Sequence, residues 1–318
     1  MPESSPEAPS TPTFPAQPPE GRAARIFLGK DGLRVGWSLL LYVAFWLLID
    51  TAIKVLAVQI AGFEDETYKP QSLAPLELLS FLSSYAASLL MARFEQRSVK
   101  VYGLPWKQAF GKLFWLGCLL GLGEVSLLVG SIGAFGGYSF GKISLYGTSL
   151  PTWALYWAVT FVFVGLTEEF LFRGYAQYTL TRGIGFWPAA VGLSLLFGAG
   201  HLANHGETVV GAANVVVTGL VFAFALKRTG NLWLAVGWHA AFDFGETFLF
   251  SVPNSGLVYS QHLSNASLEG PSWLTGGTVG PEGSVFGFLT MGLGALAIHF
   301  LFPIGKLAPC DAGTVKSA

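Results

Sequence analysis

Eight apolar stretches leave this chain few folds to choose from; they fall at roughly residues 35–60, 72–92, 113–135, 152–173, 186–202, 208–226, 231–250 and 285–303. Several approach or exceed the ~18–20 apolar residues that a helix needs to cross a bilayer. In lipid the backbone must satisfy its own hydrogen bonds, so such stretches become helices. The expectation is an all-α protein, a polytopic transmembrane helical bundle of about eight helices. Composition agrees: only 12% of residues are charged, about half the fraction usual in a soluble domain. The fourth stretch is expected to continue toward residue 181 as an interfacial turn or two.

The segments outside the bundle are short. Residues 1–34 read as a Pro-rich cytoplasmic tail, because the first 21 hold seven prolines and almost no large apolar residue, a composition that stays disordered. No apolar run follows a short basic start, so a secretory signal is not expected there. Residues 35–303 form the transmembrane domain, and 304–318 a short cytoplasmic tail. With the N-terminus inside, the inner segments collect fourteen of the 18 basic residues. Lys and Arg in short loops set orientation, so both termini are expected in the cytoplasm. A net charge of −1 gives no basic surface for nucleic acid. Cys118 and Cys310, the two cysteines, make a disulfide framework or Cys-based metal site improbable. The glycine-rich segments "GCLLGLG" (117–123) and "GLGAL" (292–296) look like faces where helix backbones approach closely.

Ionisable residues within membrane helices are costly and mark functional sites. Three clusters stand out. In "TEEFLFRGY", residues 167–175, Glu169 and Arg173 are four apart and share a helical face, so they can pair. Glu168 points about 100° away around the helix and is left free for chemistry. In "FGAGH", Phe197 and His201 share a face. In "WHAAFDFGE", His239, Asp243 and Glu246 fall at i, i+4 and i+7, and an Asp one turn from a His can orient the imidazole. Each cluster has a bland alternative: a static polar knot, an interfacial His, a helix-stabilising His–Asp pair. Elsewhere Asp50 and Lys54 are spaced to pair, Glu124 sits in mid-span, and His299 reads as a packing residue. "NAS" at 265–267 matches a glycosylation sequon, meaningful only in a source with that machinery.

Taken together the clusters allow two chemistries. Glu168 can act as general base, taking a proton from water that attacks a peptide carbonyl, with histidine stabilising the oxyanion. Alternatively Glu168, His201, His239 and Asp243 can hold zinc, which would activate the water. The helix signature "HExxH" of zinc proteases is absent from the sequence.

The three clusters resemble the CPBP intramembrane proteases, the group containing the type II CAAX prenyl endopeptidases and bacterial Abi-type proteins. Its pattern of EExxxR, FxxxH and HxxxN or HxxxD is matched by Glu168-Glu169-xxx-Arg173, Phe197-xxx-His201 and His239-xxx-Asp243. "RTGNLWLAVGWHAAFD" (228–243) and "VYGL" (101–104) are also similar, so the resemblance covers roughly residues 95–250, the expected catalytic core. It implies Glu168 as the catalytic carboxylate and His201 and His239 as polarising or oxyanion-binding groups. Asp243 takes the place often held by Asn; Glu169, Arg173 and Phe197 support the site. It implies an intramembrane endopeptidase acting on a membrane-associated peptide or protein, expected in a bacterial inner (plasma) membrane. A metal-independent glutamate mechanism is favoured, with no cofactor and zinc as the alternative. Two competing functions are a catalytically inactive membrane scaffold or immunity protein and a proton- or ion-coupled transporter. One difficulty stands: the helix order puts Glu168 and His201 at different depths, on the order of 10 Å apart. A break near Gly183–Pro188 or a re-entrant segment around 200–208 would bring them together.

Overall fold

The computed structural model describes residues 21, 26–29, 32–61 and 70–303. The expected C-terminal tail and most of the Pro-rich tail lie outside them. At the end of the latter, Leu28–Gly29 pairs antiparallel with Gly32–Leu33.

Each of the eight apolar stretches coincides with a helix. α1 spans Val35–Ala61, α2 Pro70–Phe94, α3 Lys112–Ala134 and α4 Ser149–Leu171. A π turn, Phe172–Ala176, leads α4 into α5, Gln177–Ile184; then come α6 (Phe186–His201) and α7 (Val209–Thr229). α8 (Trp233–Phe244) runs into a second π turn, Gly245–Leu249, and α9 spans Val285–Leu301. Among the described residues, five spans are long and apolar enough to cross a membrane: Val35–Gln59, Gln71–Phe94, Lys112–Ala134, Ser149–Ile184 and Val209–Thr229. The protein is an integral membrane protein with an all-α bundle.

The remaining helices are shorter. The 16 residues of α6 rise only ~24 Å against a hydrocarbon core of ~30 Å. A short helix is tolerated where protein rather than lipid surrounds its ends. α8 is the clearest case: from Asn231 to Ala240 every residue is buried except His239, which is partly open. It is the central post of the bundle and packs most extensively on α3 and α4. Its entry is a tight turn at Gly230, whose φ of 63° requires the left-handed conformation that glycine adopts freely. Asn231 Oδ1 then accepts from the Trp233 N–H at 2.8 Å and starts the helix.

Glycine sets the closeness of α3 to α8. A Cβ on Gly117 would meet the Leu234 carbonyl, one on Gly121 the Trp238 carbonyl, and one on Gly237 the Phe114 carbonyl. In lipid such backbone approach is a main source of helix association. The expected packing faces are only partly used: Gly121 is engaged, whereas Gly123 and Gly292 have open space around them. Polar ties add to this. Trp238 Nε1 donates to Glu124 Oε2 at 2.6 Å, and Thr167 Oγ1 donates to the Glu77 carbonyl at 2.8 Å, joining α4 to α2.

At the α3 C-terminal end a cap closes the bundle. The loop 251–284 carries a short helix, Ser272–Thr275, and a 3-10 turn, Pro281–Gly283. Ser267–Leu268 pairs antiparallel with Tyr138–Ser139, and Trp157 Nε1 donates to the Gln261 carbonyl at 3.0 Å.

The glycine contacts make a contrast that thermal unfolding in detergent can read. Gly121→Val should lower the melting temperature sharply, by the ~1–3 kcal/mol or more that overpacking costs. Gly123→Ala, two residues on, should raise it slightly, by ~0.5–1 kcal/mol, through helix propensity.

Candidate active site

Glu168 and Glu169 end α4, and the π turn after them carries Arg173. Within that turn Gly174 leaves helical geometry, with φ −80° and ψ −114°. π turns often mark functional sites because the extra residue redirects side chains. Here Arg173 Nη1 donates to Glu169 Oε1 at 3.2 Å, with the two side chains 1% and 0% exposed. A buried guanidinium and carboxylate must pair, since either alone would be prohibitively costly. The Phe197 ring lies 4.3 Å from the Arg173 Cζ and shields the pair.

Glu169 Oε1 also lies 3.1 Å from His239 Nδ1. With the carboxylate held by Arg173, the ring nitrogen is the donor, so the Nδ1 proton is assigned and Nε2 faces outward. Nε2 points at two further carboxylates: Glu168 Oε2 at 3.5 Å and Asp243 Oδ2 at 3.6 Å. Those separations exceed a good direct hydrogen bond and suit an intervening water or substrate atom. Glu168 is the open member, 27% exposed, and its Oε2 has no hydrogen-bond partner among the described residues. His201 Nδ1 lies 2.9 Å from the Phe197 carbonyl, which leaves its Nε2 for other work.

Glu168, His201, His239 and Asp243 line one cavity of about 300 Å³. The expected difference in depth does not keep Glu168 from His201: both line this cavity, and the chain between them breaks at Gly185, φ 84°, within the stretch where a break was expected. A smaller inner chamber of about 40 Å³ shares His201, His239 and Asp243 and extends to Glu124 and Asn214. Glu246 differs from the expectation. It lies in the second π turn, Gly245–Leu249, is fully buried and lines neither chamber.

Sequence reasoning missed several lining residues. Glu77 of α2 faces the cavity; it is a carboxylate in an apolar run, so the rule applied to Glu168 could have found it. Asn204, Asn254 and Ser255 also line it, but they come from loops that carry no periodic signal. The loop ties explain their position. Asn204 Nδ2 donates to the Ser255 carbonyl at 2.8 Å, and the Ser255 N–H donates to Glu282 Oε1. Glu282 is buried, and desolvation, aided by the charge of Glu207, pushes its carboxyl up to about 7 from 4.5 despite the Ser255 bond. Desolvation likewise raises Glu207.

Two histidines and two carboxylates are the donor types that zinc takes. Among the described residues no three His, Cys, Asp or Glu side chains form a group that could hold a metal ion. His239 Nδ1 is engaged by Glu169 and His201 Nδ1 faces a backbone carbonyl, which leaves Nε2 of each ring for other contacts.

Residues 150–245 match the model of the family described as type II CAAX prenyl endopeptidase, Rce1-like. The match falls on α4 through α8 and contains all three motifs, so the family is the one those motifs resemble. No curated protein and no solved structure matches the chain.

The Glu282 tie predicts a pH dependence. A carboxyl raised by burial holds its proton more tightly in the folded state, so its contribution is full below pH 4.5 and is lost as pH rises through about 7. Melting temperature in detergent should therefore fall across that window. Glu282→Gln should flatten the fall, even though Glu207, His201, Asp243 and Glu246 lie nearby.

Proposed function

We propose that the protein is an intramembrane endopeptidase in which Glu168 activates water against a peptide bond of a membrane-associated peptide or protein. At the coarse level, the matched family supports an intramembrane protease of the CAAX type. The observation that carries the finer reading is the convergence of Glu168, His201, His239 and Asp243 on one cavity, with Glu168 open and Glu169 committed to Arg173 and His239.

In this reading the Glu168 carboxylate takes a proton from water as the oxygen bonds to the carbonyl carbon. The carbonyl π electrons move to its oxygen. His239, its Nδ1–H held by Glu169 and a second proton on Nε2, donates to that oxyanion, and His201, its Nδ1–H on the Phe197 carbonyl and a second proton on Nε2, donates from Nε2. Preorganised donors of this kind are worth more in a site shielded from bulk water. The C–N bond then breaks and Glu168 returns the proton to the leaving nitrogen, so the carboxylate is regenerated. Asp243 faces His239 Nε2 across 3.6 Å, which leaves room for a bridging water, and Asn254 and Ser255 of the cap form the cavity edge against which an extended substrate is laid. The mechanism is of the glutamate type, with no metal step. The end of the bundle bearing Lys107, Lys112, Lys227 and Arg228 faces the cytoplasm, in keeping with the bias of basic residues.

Two substitutions separate the roles of adjacent carboxylates. With purified protein and a panel of membrane-anchored fluorogenic peptides, Glu168→Gln should lower kcat by ~10²–10⁴-fold, the usual share of general-base catalysis, with an unchanged melting temperature. Cleavage undiminished in that variant would sink the assignment. Glu169→Ala should instead cost ~3–5 kcal/mol of stability, because it strands the Arg173 charge in the interior. The same melt reads that loss directly.

A further inference from the structure

On the far side of α4 and α8 from the catalytic cavity lies a lateral groove of about 500 Å³. Its walls are hydrocarbon: Phe114, Cys118 and Leu122 of α3, Val159 and Val162 of α4, and Ala241 of α8. No residue lining it also lines the cavity, so it does not depend on the protease reading. From Phe114 to Leu122 the groove follows α3 for ~12 Å, close to half the ~30 Å hydrocarbon thickness. That is the reach of one leaflet. A space of this kind, open sideways at membrane depth and free of charge, excludes water and favours a hydrocarbon chain.

The groove mouth adds a second feature. Phe110 lines it with φ at +54°, a conformation that bulky residues rarely hold without a reason. Its ring is fixed 4.9 Å from Phe114 and 5.6 Å from Trp233. Trp106 and Trp115 are exposed beside it, and exposed tryptophan is typical of a membrane–water interface. Lys107 and Lys112 flank Phe110 and are both exposed. From Val99 to Leu116 the segment has three lysines and no acidic residue. Lysines next to an apolar groove at the interface attract an anionic headgroup.

We propose that the groove between α3, α4 and α8 is a binding site for one anionic phospholipid, its acyl chain along Cys118 and Ala241 and its phosphate at Lys107 and Lys112. A chain lying there braces α4 against α8, the two helices that carry Glu168 and His239.

Native mass spectrometry of the full-length protein in detergent, titrated with phosphatidylglycerol and with phosphatidylcholine of the same chains, tests this. The protein should retain one phosphatidylglycerol with roughly tenfold or greater preference over phosphatidylcholine. Lys107→Gln with Lys112→Gln should remove the preference. Val159→Trp, at a groove position 41% exposed and therefore tolerant of bulk, should weaken both lipids. Leu119→Trp, 68% exposed on α3 but outside the groove, should change neither. Equal retention of the two lipids by the unaltered protein, or equal losses in Val159→Trp and Leu119→Trp, would overturn the proposal and mark the contacts as ordinary boundary lipid.

Discussion

The arrangement of this bundle turns on one buried contact, the Arg173 guanidinium on the Glu169 carboxylate. Neither charge could stand alone inside apolar helices, and each is tolerable only because the other is present. The pair then does more than neutralise itself. Because Glu169 also accepts from His239, it ties α4 to α8 and orients the imidazole, so a requirement of stability also positions His239 at the cavity. Phe197 covers the pair from α6 and places His201, one turn on, at the same cavity.

Irregular backbone makes that convergence feasible. Both α4 and α8 pass into a π turn directly after their polar motif. In lipid such departures are tolerated where protein surrounds them; the first borders the cavity through Phe172, and the second is almost wholly buried. The close seam between α3 and α8, set by Gly117, Gly121 and Gly237, keeps α8 in the centre. There, all of its early residues are buried except the one that faces the cavity.

The cap extends the site beyond the membrane helices. Asn254 and Ser255 are brought to the cavity by a loop held on one side by Asn204 and on the other by Glu282. Since those ties join the end of α6 to the start of α9, the cap also closes the ring of helices around α8. Polar residues in such a loop look like a tether when read in order along the chain, and their role at the cavity is visible only once both anchors are located.

Much was legible in the residues themselves. Eight apolar runs determined the all-α membrane architecture, because backbone in lipid has few other ways to satisfy its hydrogen bonds. Helical spacing determined that Glu169 meets Arg173 and leaves Glu168 turned away, since four residues make about one turn. What spacing within a helix cannot carry is depth and direction between helices. Only the tertiary structure decided that Glu168 and His201 share a cavity and that Glu246 does not. It also decided that Glu77 and the cap residues do share it, and which glycines touch a neighbour. Those outcomes depend on π turns, helix lengths and loop anchors, whose energies come from contacts between residues far apart in the chain.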